Sequence, residues 1–202
     1  MPIRAVLFDF DGTLADSFAP ITASTNHVRQ HFGLPPLPES EVRHYVGYGL
    51  ANLMQTLVPI APTDQAIDLY RSHHERVMLT QTKLMPGVAE TIPELFRRGF
   101  RQAVCSNKRV DFTRQLVKTL GLAQYFTFVL GPEDVGNQPK PDPAMLLEGL
   151  KRLEVSTNEA VYVGDMAIDV HTAQAAKVRV WLVPGGAAGD ESAAAAGPNR
   201  VL

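Results

Sequence analysis

Along this chain, short runs of consecutive apolar residues alternate with longer stretches in which apolar residues recur every three or four positions. The first run, Ile3-Arg4-Ala5-Val6-Leu7-Phe8, ends in Asp9-Phe10-Asp11-Gly12-Thr13. A β-branched and aromatic run closed by acids and a glycine predicts a buried strand followed by a turn. Helical spacing then takes over. Phe18, Ile21, Thr25, Val28 and Phe32 share a face, with Asp16 or Ser17 as N-cap and Gly33 as terminator. Leu34-Pro35-Pro36-Leu37-Pro38 is a loop that no helix crosses. Further helices are expected from about Glu39 to Tyr45, over Leu50, Leu53, Met54 and Leu57 after the turn Gly47-Tyr48-Gly49, and from about Thr63 to Thr80. Residues 15 to 84 therefore read as wholly helical, a self-contained bundle with no strand signal.

From Met85-Pro86-Gly87 onward the pattern alternates. Strands are expected at 102–106, 126–130, 160–164 and 179–183, and helices at about 88–98, 110–120, 143–153 and 167–176. Asp142 is the expected N-cap of the third of these helices, with Pro143 at its first position. Near-continuous apolar strands separated by helices predict a parallel sheet covered on both faces. The fold class is thus α/β, a doubly wound core of residues 1–14 and 85–202 with an α-helical domain, 15–84, inserted after the first strand. The Gly- and Ala-rich stretch Gly185 to Gly197 reads as a mobile loop or a frayed helix.

Bulk properties narrow the function. The chain has 202 residues, 45% hydrophobic and 20% charged, with a formal net charge of −2, which offers no electrostatic footprint for nucleic acid or an anionic membrane. Its single cysteine cannot form an intrachain disulfide. The first strand begins within the first residues and leaves no room for a cleaved signal peptide, so a cytoplasmic protein is expected. Cys105 reads as a core residue, because strand alternation points it away from Ser106. His73 and His74 are adjacent on a helix and cannot share a face as a metal pair must, so they are assigned to surface or packing. Trp181 is expected in the core.

Candidate chemistry gathers at the carboxyl ends of the expected strands, the edge where open α/β sheets bind ligands. Asp9 and Asp11 follow the first strand, Ser106 and Asn107 the second, and Asp165 and Asp169 the fourth, while Lys140 sits between Pro139 and Pro141 in a loop. Each has an ordinary explanation taken singly: a polar turn, a helix cap, an exposed lysine. Together, four carboxylates on one edge repel. Two of them about 5 Å apart cost roughly 3 kcal/mol at an effective dielectric near 20. A bound cation relieves this, and an all-oxygen site with room for phosphate and water favours Mg²⁺. A fixed ammonium at position 140 would hold a phosphoryl oxygen and lower the pKa of Asp9.

These residues in this order resemble the haloacid-dehalogenase-like hydrolase superfamily over nearly the whole chain. Asp9-Phe10-Asp11-Gly12-Thr13 is similar to its first motif, Ser106-Asn107 to the second, Lys140 to the third, and Gly164-Asp165-Met166-Ala167-Ile168-Asp169 to the fourth. The resemblance implies a Rossmann-like core and a mobile helical cap, with Asp9 as nucleophile, Asp11 as acid and base, and Ser106 and Lys140 holding the phosphoryl group. It implies Mg²⁺ on Asp9, Asp165 and the Asp11 backbone carbonyl, with Asp169 at or just behind the metal shell. An acid at position 11 sets the chain apart from the superfamily's dehalogenases and implies a phosphatase or phosphomutase. Val46-Gly47-Tyr48-Gly49-Leu50, Ser106-Asn107-Lys108 and Lys140-Pro141-Asp142-Pro143 are most similar to phosphoglycolate phosphatase-like enzymes. Substrate contacts are expected from Gly12, Thr13, Asn107, Gly47 and Gly49, and from Arg43, His44 and Tyr48 toward an anionic tail.

Two positions depart from the family pattern. Met166 stands where a small hydroxyl residue is usual, and Lys177 replaces the glycine that usually closes the helix, with some backbone strain expected. The chain also stops about where relatives continue through another helix, so a sheet edge less covered, or covered by a partner, is expected. The functional expectation is a Mg²⁺-dependent phosphatase for a small phosphorylated metabolite, with 2-phosphoglycolate first, acting as a monomer or homodimer. The alternatives are a phosphosugar mutase of the β-phosphoglucomutase type and a non-catalytic phosphate-binding protein on the same fold.

Overall fold

The computed structural model describes residues 2–184 and 190–202. In chain order the elements are β1 (Ala5–Phe8), β2 (Ala15–Asp16), α1 (Phe18–His31), α2 (Glu39–Arg43), α3 (Leu50–Leu57), α4 (Thr63–Gln81), β3 (Lys83–Leu84), α5 (Val88–Arg97), β4 (Arg101–Cys105), α6 (Val110–Thr119), β5 (Phe128–Leu130), α7 (Ala144–Leu153), β6 (Ala160–Gly164), α8 (Ala167–Ala175), β7 (Arg179–Leu182), α9 (Asp190–Ala195) and β8 (Arg200–Val201).

A six-stranded sheet runs β5-β4-β1-β6-β7-β8, with every pairing parallel. Strand alternation gives it two buried faces. Ala5 and Leu7 face one way, with Met145, Leu146, Leu150 and Leu153 of α7 and Val170 and Ala173 of α8. Val6 and Phe8 face the other, with Val88 and Ile92 of α5 and Phe112, Leu116 and Val117 of α6. Because β1 lies between β4 and β6, the chain winds outward in opposite directions from it. That switch point opens a crevice beyond the carboxyl ends of the strands.

Helices α1 to α4 pack around a third cluster that includes Phe18, Ile21, Val28, Leu53, Met54, Leu57 and Tyr70. Met166 and Ile168, at the start of α8, belong to that same cluster, so the insert docks on the core next to the fourth motif. The insert is not wholly helical as expected. Its two ends pair as short antiparallel strands, Ala15 with Leu84 and Asp16 with Lys83. Two-residue strands are too short to show a period of two, which is why the sequence pattern hides them.

At the end of the chain β8 adds to the sheet beside β7, and α9 packs on α8. β8 is then the edge strand, with Val201 and Leu202 exposed, so the edge is lightly covered, as one of the two expectations had it. Of the Gly- and Ala-rich stretch, 190–195 is helical and 185–189 lies outside the described residues. The N-cap of α7 is Pro143 rather than Asp142, one residue from expectation, although the Ala144 amide donates to Asp142 Oδ1 at 2.8 Å. Lys177 takes φ 56°, the left-handed conformation foreseen for it. Trp181 is half-buried against the core, and Cys105 is fully buried in it. Burial pushes the Cys105 thiol up to about 12. Among the described residues no helix is long and apolar enough to cross a membrane.

Candidate active site

Parallel strands end on one edge, so β1, β4 and β6 bring Asp9, Ser106 and Asp165 to one place. Lys140, from the loop before α7, reaches in from the side of α8. Its Nζ stands 2.9 Å from Asp9 Oδ1, 2.7 Å from Asp169 Oδ1 and 3.2 Å from the Tyr162 hydroxyl. All four residues are buried. Burial opposes the ammonium of Lys140, but Asp169 and Asp9 outweigh it and hold the pKa above its ordinary value. Burial raises the Asp9 carboxyl to about 6, with Lys140 opposing and Asp169 adding to the rise.

Asp169 spends its lone pairs inside the protein. Oδ1 accepts from Lys140 and faces the Tyr162 hydroxyl at 3.1 Å, while Oδ2 accepts from the amides of Asp165 and Met166 at 3.2 and 3.0 Å. The Tyr162 hydroxyl also lies 2.9 Å from the Cys105 carbonyl, so its single proton serves two acceptors. Asp165 accepts from Thr13 Oγ1 at 2.8 Å. Gly12 has φ 86°, and a Cβ built there would collide with the Asp165 carboxylate. Glycine is therefore required twice over, for the backbone and for the room.

Asp9, Asp165 and Asp169 each offer an oxygen within 4.8 Å of the others. Three buried carboxylates facing one ammonium leave surplus negative charge, and Asp9 Oδ1, although close to Lys140, makes no aligned hydrogen bond. Hard oxygen donors with unspent charge fit a hard divalent cation.

Asp11 turns the other way, toward the insert. It accepts from the Ser17 hydroxyl and lies 3.3 and 3.4 Å from Lys108 Nζ. Between core and insert lies a cavity of ≈ 70 Å³, lined from the core by Asp9, Asp11, Ser106, Asn107 and Lys108 and from the insert by Tyr45, Gly47, Gly49, Leu50, Leu53, Tyr70 and His74, among others. Asn107 ties the two parts together. Its Nδ2 donates to the carbonyls of Gly47 at 3.0 Å and Lys140 at 3.2 Å, and its Oδ1 accepts from the Lys140 amide at 2.7 Å. Met166 closes on Gly47 from the core side so tightly that a Cβ at Gly47 would strike its sulfur.

The structure thus gathers Asp9, Asp11, Gly12, Thr13, Ser106, Asn107, Lys140, Asp165 and Asp169, with Gly47 and Gly49 across the cavity. Arg43, His44 and Tyr48 do not line it. The Arg43 guanidinium lies 3.9 Å over the Phe18 ring and pairs with Glu39 and Asp16. Sequence reasoning did not single out Lys108, Tyr70, His74, Ser17 or Tyr162 for the site. Ser17 appeared only as a capping candidate, yet its hydroxyl goes to Asp11. Lys108 follows the second motif and lies in the family-like stretch Ser106-Asn107-Lys108, the signal that marks it.

A family model described as haloacid dehalogenase-like hydrolase matches residues 6–183. A phosphoglycolate phosphatase of Cupriavidus necator is 34% identical over 208 residues, covering 100% of this chain and 90% of that protein. One from Nitrosospira multiformis is 32% identical over 194 residues, covering 92% of this chain and 85% of its own length. A haloacid dehalogenase-like hydrolase structure from Streptococcus pneumoniae superposes with a TM-score of 0.90 at 19% identity, covering 98% of this chain and 93% of that one. That likeness speaks for the fold.

Proposed function

The chain belongs to the haloacid dehalogenase-like hydrolases, and we propose that it is a Mg²⁺-dependent phosphatase of small phosphate monoesters, with 2-phosphoglycolate the first substrate to try. The observation that carries this reading is the buried cluster of Asp9, Asp165 and Asp169 on Lys140, with Asp11 beside it on the cavity between core and insert. The choice of 2-phosphoglycolate leans on the names of the relatives.

In this reading an Asp9 oxygen attacks phosphorus. The ester oxygen leaves and takes a proton from Asp11, giving an aspartyl phosphate. Water then attacks that phosphorus and gives a proton to Asp11, which releases phosphate and restores the Asp9 carboxylate. Ser106 and Lys140 hold the phosphoryl oxygens. Mg²⁺ on Asp9, Asp165 and the Asp11 carbonyl would neutralise phosphoryl charge. Asp169, its lone pairs already spent, orients Lys140 and the start of α8 from behind. Thr13 steadies Asp165, and the insert serves as the cap that excludes water.

A cavity of ≈ 70 Å³ is far below the roughly 300–1,000 Å³ of pockets that enclose drug-sized ligands. This favours a short ester over the hexose phosphate a mutase would take. The test is phosphate release over a panel of small esters with Mg²⁺, with and without EDTA. Release that EDTA abolishes is expected. Release indifferent to chelation contradicts the metal, and no release from any ester contradicts the phosphatase.

A further inference from the structure

We infer that Lys108 is the receptor for a carboxylate on the leaving portion of the substrate, an assignment that rests on the phosphatase reading above. Lys108 lies on the loop from β4 to α6, and its side chain is only 7% exposed. Its sole ion pair among the described residues is with Asp11, at 3.3 and 3.4 Å. Charge-assisted bonds ordinarily close to about 2.7–2.9 Å, and an ammonium has three protons to give. Donor capacity therefore remains inside the cavity.

Other cations nearby are occupied. Lys140 is held by Asp9 and Asp169. Arg109 pairs with Asp111 at 2.8 Å and lies over the Phe112 ring, with its side chain 42% exposed. His74 faces the same cavity but stays neutral, since burial and then the charge of Lys108 lower its pKa to about 3. A phosphoryl group seated on Asp9, Ser106 and Lys140 leaves the rest of the ester between Lys108 and the apolar walls of Tyr45, Leu50 and Leu53. An anion desolvated there needs a paired charge, and Lys108 is placed to supply it. A neutral hydroxyl in that position gains much less.

The test compares 2-phosphoglycolate with 2-hydroxyethyl phosphate, equal in length but neutral at the tail. The wild type should prefer the carboxylate by roughly 10- to 100-fold in kcat/KM, the worth of one hydrogen bond to a charged group. Lys108→Met should collapse that ratio, chiefly through KM on the carboxylate, and Lys108→Arg should keep most of it. A Lys108 that only neutralises Asp11 would lower both esters equally and leave the ratio standing. That result overturns the assignment, as does a wild type without the preference. Calorimetric binding of both esters to Asp9→Asn, with and without Lys108→Met, gives the ratio free of turnover. If the ratio holds there while the wild type releases no phosphate from either ester, the phosphatase reading fails and the Lys108 assignment stands.

Discussion

The core and the helical insert meet at one cavity but are built on different principles. On the core side each charged group has fixed partners. Lys140 joins Asp9 to Asp169, Asp169 ties down the start of α8, and Thr13 anchors Asp165. Removing one partner leaves a buried charge unmatched, so the cluster is stiff. On the insert side the walls are mainly apolar, and the directed contacts to the core are few. Asn107 donates to the Gly47 carbonyl, and Met166 packs on the same glycine. A stiff half suits chemistry, where positions must hold. An apolar half that can part and close again suits admission and selection of a substrate.

The strongest test of the stiff half is Asp9→Asn, which should lower turnover at least about 10³-fold while the thermal melting of the protein stays cooperative. Retained Mg²⁺-dependent release would remove Asp9 from its proposed role. Gly12→Ala should cost on the order of 10²-fold in kcat, because the new methyl displaces the Asp165 carboxylate. A near-normal rate would mean that Asp165 has slack. On the soft half, Met166→Ala should loosen closure by about 2 kcal/mol. It should appear as a higher KM and faster hydrogen exchange in α1 and α4, with kcat less affected. An effect on kcat alone would contradict a role in closure.

Acid provides a further contrast. His74 is buried in the insert, with its Nδ1 3.1 Å from Ser24 Oγ, and its pKa falls from 6.5 to about 3 by burial and by Lys108. The unfolded chain takes up this proton below about pH 6.5 and the folded one does not. Stability is thus complete above 6.5 and is lost as pH falls toward 3, by about 1.4 kcal/mol per pH unit at the steepest. Urea midpoints of the wild type should decline faster with acidification than those of His74→Gln; parallel curves would refute the assignment. Smallest is Lys177→Gly, which relieves a left-handed non-glycine residue at the end of α8. A gain of up to about 1 kcal/mol in urea is expected, with no change in kcat.

The stiff half was the legible half. β1 and β6 declare themselves as apolar runs with acids at their ends, and parallel pairing then forces those acids together. The soft half was legible in its helices and in Gly47 and Gly49, but not in the side chains that line the cavity. Arg43 was a reasonable candidate for an anionic tail, yet in the fold it stacks on Phe18 and pairs with Glu39 and Asp16. His74 and Tyr70 reach the cavity because α4 packs across α1 and against α6, where His74 meets Phe112, a sum of two packings that no local pattern encodes. The strands β2, β3 and β8 have two residues each and exist through their partners rather than their own periodicity. Met166 showed up in the sequence only as a departure from the family pattern. The fold gives it a contact, the underside of Gly47.

The most direct measurement of the central claim is mass spectrometry of the protein quenched in acid during turnover of a small phosphate ester with Mg²⁺. The account predicts a phosphoryl group on the peptide that contains Asp9, absent from Asp9→Asn and from protein quenched without Mg²⁺. Turnover with no phosphoryl adduct at any quench time, or with the adduct on another residue, would contradict it.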